Sequence, residues 1–245
     1  VKKYLFLIFF ILLLQPAGWG ESATVRLKVT PGDSWVHKFK VMPFFSVKTR
    51  PQMAFWSENA SGKTLVYFVT EKFGKASWRG APGDKSEIRR PSALPRFSYE
   101  YGKSLGQGMF LPDRNTPMPD TVTSATPSEG FERSFTLTYE NGGETAFYFE
   151  VNHSTDFNVT YPKDADEEDA RYSGGKYGSG QPALIYGVNA DLSKPGVYAM
   201  RLLGHAEPSG KDGGLYSDLS GITTAADIVG SVEIIIEKEG GNDED

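Results

Sequence analysis

From Thr24 onward, apolar and polar residues alternate in short runs. Thr24 to Val29 has period two, and Pro31-Gly32-Asp33 marks a turn after it. Trp35 to Met42 is a second alternating run. Gln52 to Ser57 and Lys63 to Thr70 flank Glu58-Asn59-Ala60-Ser61-Gly62, the pattern of a hairpin with a five-residue loop. Phe131 to Tyr139 and Thr145 to Val151 flank Glu140-Asn141-Gly142-Gly143, and Asn-Gly between alternating runs predicts a second hairpin. Leu184 to Ala190, Val197 to Leu203 and Ser231 to Lys238 complete about ten strands. In the last run Ile234 and Ile236 share one face and Ile235 takes the other, which predicts a strand buried on both sides or covered by the long loop 79–130.

One helix is expected, Thr223 to Val229, stopped by Gly230. No strand-helix-strand alternation exists, so the pattern predicts an all-β, antiparallel sandwich. Two segments interrupt it. Residues 79–130 carry many Pro and Gly with one β-like run, Arg96 to Tyr101. Their Leu94, Phe97, Tyr99, Tyr101, Met109, Phe110 and Leu111 predict a long insertion packed on the sandwich. Residues 162–182 are acidic, then Gly- and Tyr-rich, and predict a mobile loop.

The first twenty residues read differently. Lys2 and Lys3 precede the 11-residue apolar run Tyr4 to Leu14, and Gly18-Trp19-Gly20 suits cleavage after Gly20. A spanning helix needs roughly 20 apolar residues, so the expectation is a cleaved signal peptide (1–20). A single domain (21–240) and a disordered acidic tail (241–245) follow. Val1 in place of Met fits an alternative bacterial start codon, and hence a periplasmic or secreted protein. There is no Cys, which excludes thiol chemistry, Cys-based metal sites and a lipoprotein anchor on Cys. Without Lys2 and Lys3 the chain has 24 basic against 31 acidic side chains, which argues against a nucleic-acid partner.

Several constellations bear on chemistry. Asp120-Thr121-Val122-Thr123-Ser124-Ala125-Thr126 resembles the attachment motif of exported flavoproteins, in which a dedicated transferase esterifies FMN through its phosphate to a Thr hydroxyl. Asp120, Thr123, Ala125 and Thr126 fall on that motif, with Thr126 as acceptor. Ser124 stands where the motif has Gly. The bland reading is a polar loop. Gly102-Lys103-Ser104-Leu105-Gly106 has the spacing of a nucleophile elbow, but lacks the strand before and the helix after that the elbow needs. His153 and Asp156 follow one strand and His205 ends another, so they are candidates to meet at one sandwich end and share a ligand or Zn²⁺. No spacing motif supports a metal, and strand-end hydrogen bonds are the plainer role. His37 lies within an alternating strand, where a surface or cross-strand role is the default. The acidic run 164–169 lacks the Gly of a Ca²⁺ loop. Arg89 and Arg90, in a Pro-bounded loop, suit a phosphate or a partner carboxylate. Pairing with the protein's own acidic loops is the alternative.

The chain is similar to an uncharacterised family of predicted bacterial periplasmic proteins. The resemblance rests on Ala54 to Glu58 with Gly62 to Leu65, then Trp78-Arg79-Gly80, Arg90 to Pro95, Asp120 to Thr126 and Phe149 to Ser154. It implies an immunoglobulin-like sandwich without an agreed activity. It also implies a redox setting, since some relatives occur near flavin-transferase and membrane redox genes and carry Gly where Ser124 stands. The leading expectation is an exported, non-catalytic sandwich that binds a periplasmic protein or small ligand. The alternative is an electron carrier with FMN attached covalently at Thr126.

Overall fold

The structure, a computed structural model, describes residues 20–42, 44–59, 62–78, 89–139 and 143–238. Residues 1–19 of the expected signal peptide, the Asn141-Gly142 turn and the acidic tail lie outside the described residues.

Period-two runs become strands where expected. In chain order they are β1 (Glu21–Pro31), β2 (His37–Met42), β3 (Phe45–Thr49), β4 (Gln52–Asn59) and β5 (Thr64–Thr70). After the helices α1 (Glu71–Gly74) and α2 (Pro95–Ser104) come β6 (Thr123–Ser124), β7 (Phe131–Tyr139) and β8 (Glu144–Asn152). The last are β9 (Leu184–Asp191), β10 (Gly196–Ala199), β11 (Arg201–Ala206), β12 (Leu215–Tyr216) and β13 (Val229–Lys238). A four-stranded sheet, β10-β13-β1-β7, faces a seven-stranded sheet, β12-β11-β9-β8-β4-β5-β6. Strands β2 and β3 form a separate ribbon. All pairings are antiparallel except β5 with β6.

The core lies between the sheets. Val25, Leu27, Val232, Ile234 and Ile236 meet Met53, Phe55, Phe68, Phe147, Phe149 and Val151, all at most 2 % exposed. The fold is an all-β antiparallel sandwich. Among the described residues no helix is long and apolar enough to cross a membrane.

The outer face of the seven-stranded sheet carries a second apolar cluster. Ala54, Trp56 and Val69 project away from the main core and are covered by Phe73, Trp78, Leu94, Phe97 and Met118. The insertion therefore shields this sheet and not the C-terminal strand. Ile235 remains half-buried beside its fully buried neighbours.

Four local expectations are corrected. Arg96 to Tyr101 is helical: Pro95 occupies the first turn, and Phe97 stacks on Tyr101 one turn later at 5.8 Å. The segment Thr223 to Val229 makes only a 3-10 turn, Thr224–Asp227, before β13 begins at Val229. The second expected hairpin does not form: β7 pairs with β1 in one sheet, and β8 with β4 and β9 in the other. The run Val197 to Leu203 divides at Met200, with β10 on β13 and β11 on β9.

Residues 162–182 are also more tightly held than expected. Ser173, Ser179 and Gln181 are buried. Ser179 Oγ donates to Ser92 O at 2.8 Å, and Ser173 Oγ accepts from Gly180 N at 3.0 Å. Gly180 has φ +80°, and a Cβ there would stand 2.3 Å from the Asp156 carbonyl carbon, so only Gly fits. Polar bonds replace the apolar burial that this segment lacks.

Candidate functional site

The segment 118–126 leaves the insertion and returns to the sheet. Met118 N donates to Gly74 O at 2.8 Å, and Val69 N donates to Val122 O at 2.8 Å. Val69 then pairs with Thr123 and Thr70 with Ser124, which makes β6 the edge of the seven-stranded sheet. The Thr123 methyl lies over Gly74, so closely that a Cβ on Gly74 would be 2.6 Å away. The segment is thus anchored at its middle.

Its chemically interesting ends face outward. The Asp120 side chain is 85 % exposed and accepts from Lys75 Nζ at 2.7 Å. That bond, with the carboxylate's charge, holds the Lys75 ammonium above its ordinary value. Ala125 is exposed and Thr126 half-buried. The Thr126 hydroxyl makes no hydrogen bond to any described residue. Ser124 lies in extended backbone, and positive φ among the described non-glycine residues occurs at Ala76 and Thr155. Ser124 therefore adopts no backbone conformation that calls for Gly.

Sequence reasoning missed Arg133. It sits on β7, the edge strand of the four-stranded sheet, at an inward position between Phe131 and Phe135. Its guanidinium stacks over the Phe68 ring at 4.7 Å, and Nη2 donates to Ser124 Oγ. It forms no ion pair with a described carboxylate, and burial lowers its pKa. Arg133 therefore bridges the two sheet edges beside the acceptor-like segment. The signal was present in the sequence: an arginine at the inward phase of an aromatic-rich alternation.

The other candidates separate into distinct places. His153 Nε2 donates to Ser34 O at 2.9 Å, and its ring lies 5.5 Å from that of His37. Burial, reinforced by His37 and Lys72, pushes its pKa down to about 4. Asp156 is buried and accepts from Thr224 Oγ1 at 2.7 Å and from Gln181 Nε2 at 2.9 Å, with His37 Nδ1 at 3.7 Å. His205 instead donates from Nδ1 to Ala206 O at 2.7 Å and stacks on Tyr216. His153 and Asp156 thus share a neighbour in His37, while His205 has separate partners. Among the described residues there is no group of three His, Asp or Glu arranged to hold a metal.

Arg89 pairs with Asp113 at 2.6 Å, a carboxylate held at about 2 first by its bonds from Thr116 and then by Arg89. Arg90 stacks over Trp78 at 4.4 Å. The pair thus has separate partners, and neither is the 164–169 run. Ser104 ends α2 and donates to Tyr101 O at 2.7 Å, so the elbow-like sequence begins in the last turn of a helix and has no elbow geometry.

A cleft opens where the chain switches sheets. Tyr148, Gly187, Asn189, Tyr198, Arg201 and Leu203 line about 570 Å³. Gly187 pairs with Tyr148 on one side and Arg201 on the other.

Comparison of the chain with known protein families, curated proteins and solved structures finds no match.

Proposed function

We propose that this protein is an exported, non-catalytic β-sandwich of the bacterial periplasm that carries FMN covalently on Thr126. The supporting observation is the anchored edge segment 118–126, which leaves Asp120 and Ala125 exposed and the Thr126 hydroxyl without a hydrogen bond among the described residues. An acceptor must reach a transferase, and a half-exposed Thr126 just beyond an anchored edge strand, its hydroxyl without a hydrogen bond among the described residues, is compatible with that need. Asp120 serves recognition by the transferase, and Ala125 leaves room beside the acceptor. The flavin, when attached, supplies a redox centre that side chains without Cys do not offer. A membrane redox protein is the partner that such a carrier would serve.

Co-expression with a flavin transferase tests this reading. The expected product is a yellow protein whose colour survives denaturation, with the mass of one FMN less water added. Thr126→Ala removes the addition. An unchanged mass beside an active transferase refutes the reading.

A second reading, a sandwich that binds a small ligand or partner without a cofactor, is favoured by the sheet-switch cleft. Its Arg201 is exposed and makes no ion pair with a described residue, and Tyr148 offers an aromatic wall. Native mass spectrometry of protein from its own periplasm should then show a bound molecule that Arg201→Glu releases.

A further inference from the structure

We propose that Arg133 binds the phosphate of the group esterified to Thr126, and that Ser124 positions its guanidinium to do so. The inference rests on the reading of Thr126 as the flavin acceptor and assigns the residue that holds the linkage.

Thr126 is two residues beyond Ser124, at most about 7 Å along an extended chain. Ser124 Oγ accepts from Arg133 Nη2. A guanidinium has five N–H donors in a planar fork suited to phosphate oxygens. One is used on Ser124, and the Phe68 ring occupies the flat face, so the remaining donors stay in the plane of the fork. The charge is partly buried, and no described carboxylate compensates it. Partly buried cations are ordinarily paired. An anion placed at the seam between β6 and β7 would supply the missing partner.

The linkage chemistry supplies that anion. Thr126 Oγ1 attacks the flavin-side phosphorus of a flavin adenine dinucleotide bound to the transferase. The pyrophosphate P–O bond breaks and AMP leaves. The Oγ1–P bond forms, and the threonine proton passes to a base of the transferase. The product is a phosphodiester with one negative charge next to the seam, where Arg133 binds it. Ser124 thus has a positive role where the motif has Gly: it holds the guanidinium at a position two residues from the acceptor in sequence.

Two measurements test the assignment separately from the reading beneath it. In chains made with phosphothreonine at position 126, phosphorus NMR gives the second phosphate pKa without any flavin. The value is expected to be lower by about 0.5 unit or more with Arg133 than in Arg133→Gln, because a nearby cation favours the dianion. Arg133→Lys keeps the charge and should retain most of that shift, which separates loss of charge from loss of fold. Equal values in the parent and Arg133→Gln chains overturn the assignment. In the second measurement the transferase loads flavin, and flavin attachment should raise the melting temperature of the parent more than that of Arg133→Gln. Equal increments overturn it too. If no FMN mass is added beside an active transferase, the assignment to flavin falls even where the phosphate pKa responds, and the seam is then an anion site of another kind.

Discussion

Replacing Glu150 by Gln should remove a loss of stability that the parent suffers as pH rises from 4.5 through about 8. Glu150 lies on β8, is 0 % exposed, and projects onto the outer face beneath the insertion. Its carboxylate accepts from Arg96 N at 3.2 Å and Phe97 N at 2.7 Å, two first-turn donors of α2. Leu94 offers no side-chain cap, so a strand residue more than fifty positions away satisfies them. Burial pushes the Glu150 pKa up to about 8, while the two N–H groups and Arg96 pull it down. The folded value exceeds the ordinary 4.5, so the folded chain holds the proton more tightly. That contribution is present in full below pH 4.5 and is lost as pH rises through 8. At about 1.4 kcal/mol per unit, the loss is about 3 kcal/mol by pH 7 and approaches about 5 above pH 8. Gln keeps one acceptor and no charge, and costs about 1–2 kcal/mol for the mismatched second bond. Urea unfolding at pH 5, 7 and 9 should therefore show Glu150→Gln slightly less stable than the parent at pH 5 and roughly 3 kcal/mol more stable at pH 9. A difference that stays constant across this range would refute the reasoning. It would mean that the helix N-terminus fully offsets burial and the carboxyl titrates as in the unfolded chain.

His153 predicts the acid side: its folded pKa of about 4 lies below the ordinary 6.5, so its contribution is present above pH 6.5 and lost as pH falls through 4. Denaturation curves should lose about 3 kcal/mol from this group, and His153→Asn should flatten that limb. Phe97→Ala empties a fully buried position between Trp56 and Tyr101 and should cost about 3–5 kcal/mol in equilibrium unfolding. Gly180→Ala forces a side chain against the Asp156 backbone at positive φ; its melting temperature should fall by an amount equivalent to more than about 1 kcal/mol.

The strands were legible because a half-buried strand writes its faces directly into the sequence. β1 alternates Val25, Leu27 and Val29 against Thr24, Arg26 and Lys28, and each apolar member is buried. Pairing was less legible, because alternation identifies a face and not a neighbour. Phe131 to Tyr139 and the run after Asn141-Gly142 carry adjacent inward faces, but in opposing sheets. Helix α2 was misread because Phe97, Tyr99 and Tyr101 satisfy period two as well as Phe97 and Tyr101 satisfy a helical turn. Tyr99 is 40 % exposed, and the cap that decides for the helix comes from Glu150. At the candidate site the motif positions were legible and their anchoring was not, since it depends on Gly74, Val69 and Lys75 from earlier in the chain.

The seam also bears on how the sandwich ends. An open sheet edge invites pairing with another chain, and short or charged edge strands prevent it. The seven-stranded sheet finishes at β6, a two-residue strand. The four-stranded sheet finishes at β7, whose outward positions Glu132, Ser134, Thr136 and Thr138 are polar and exposed. Between these blunt edges the inward aromatics Phe131 and Phe135 close over Phe68 and Phe55, and Arg133 completes the closure through Ser124. The same arginine therefore serves as structural stitch and proposed phosphate ligand. Lysine at 133 keeps a charge near Ser124 but lacks the flat fork that stacks on Phe68. Arg133→Lys should therefore retain the phosphate response while weakening the stitch, and a variant that lost both together would tie the anion site to the stacked geometry of the seam.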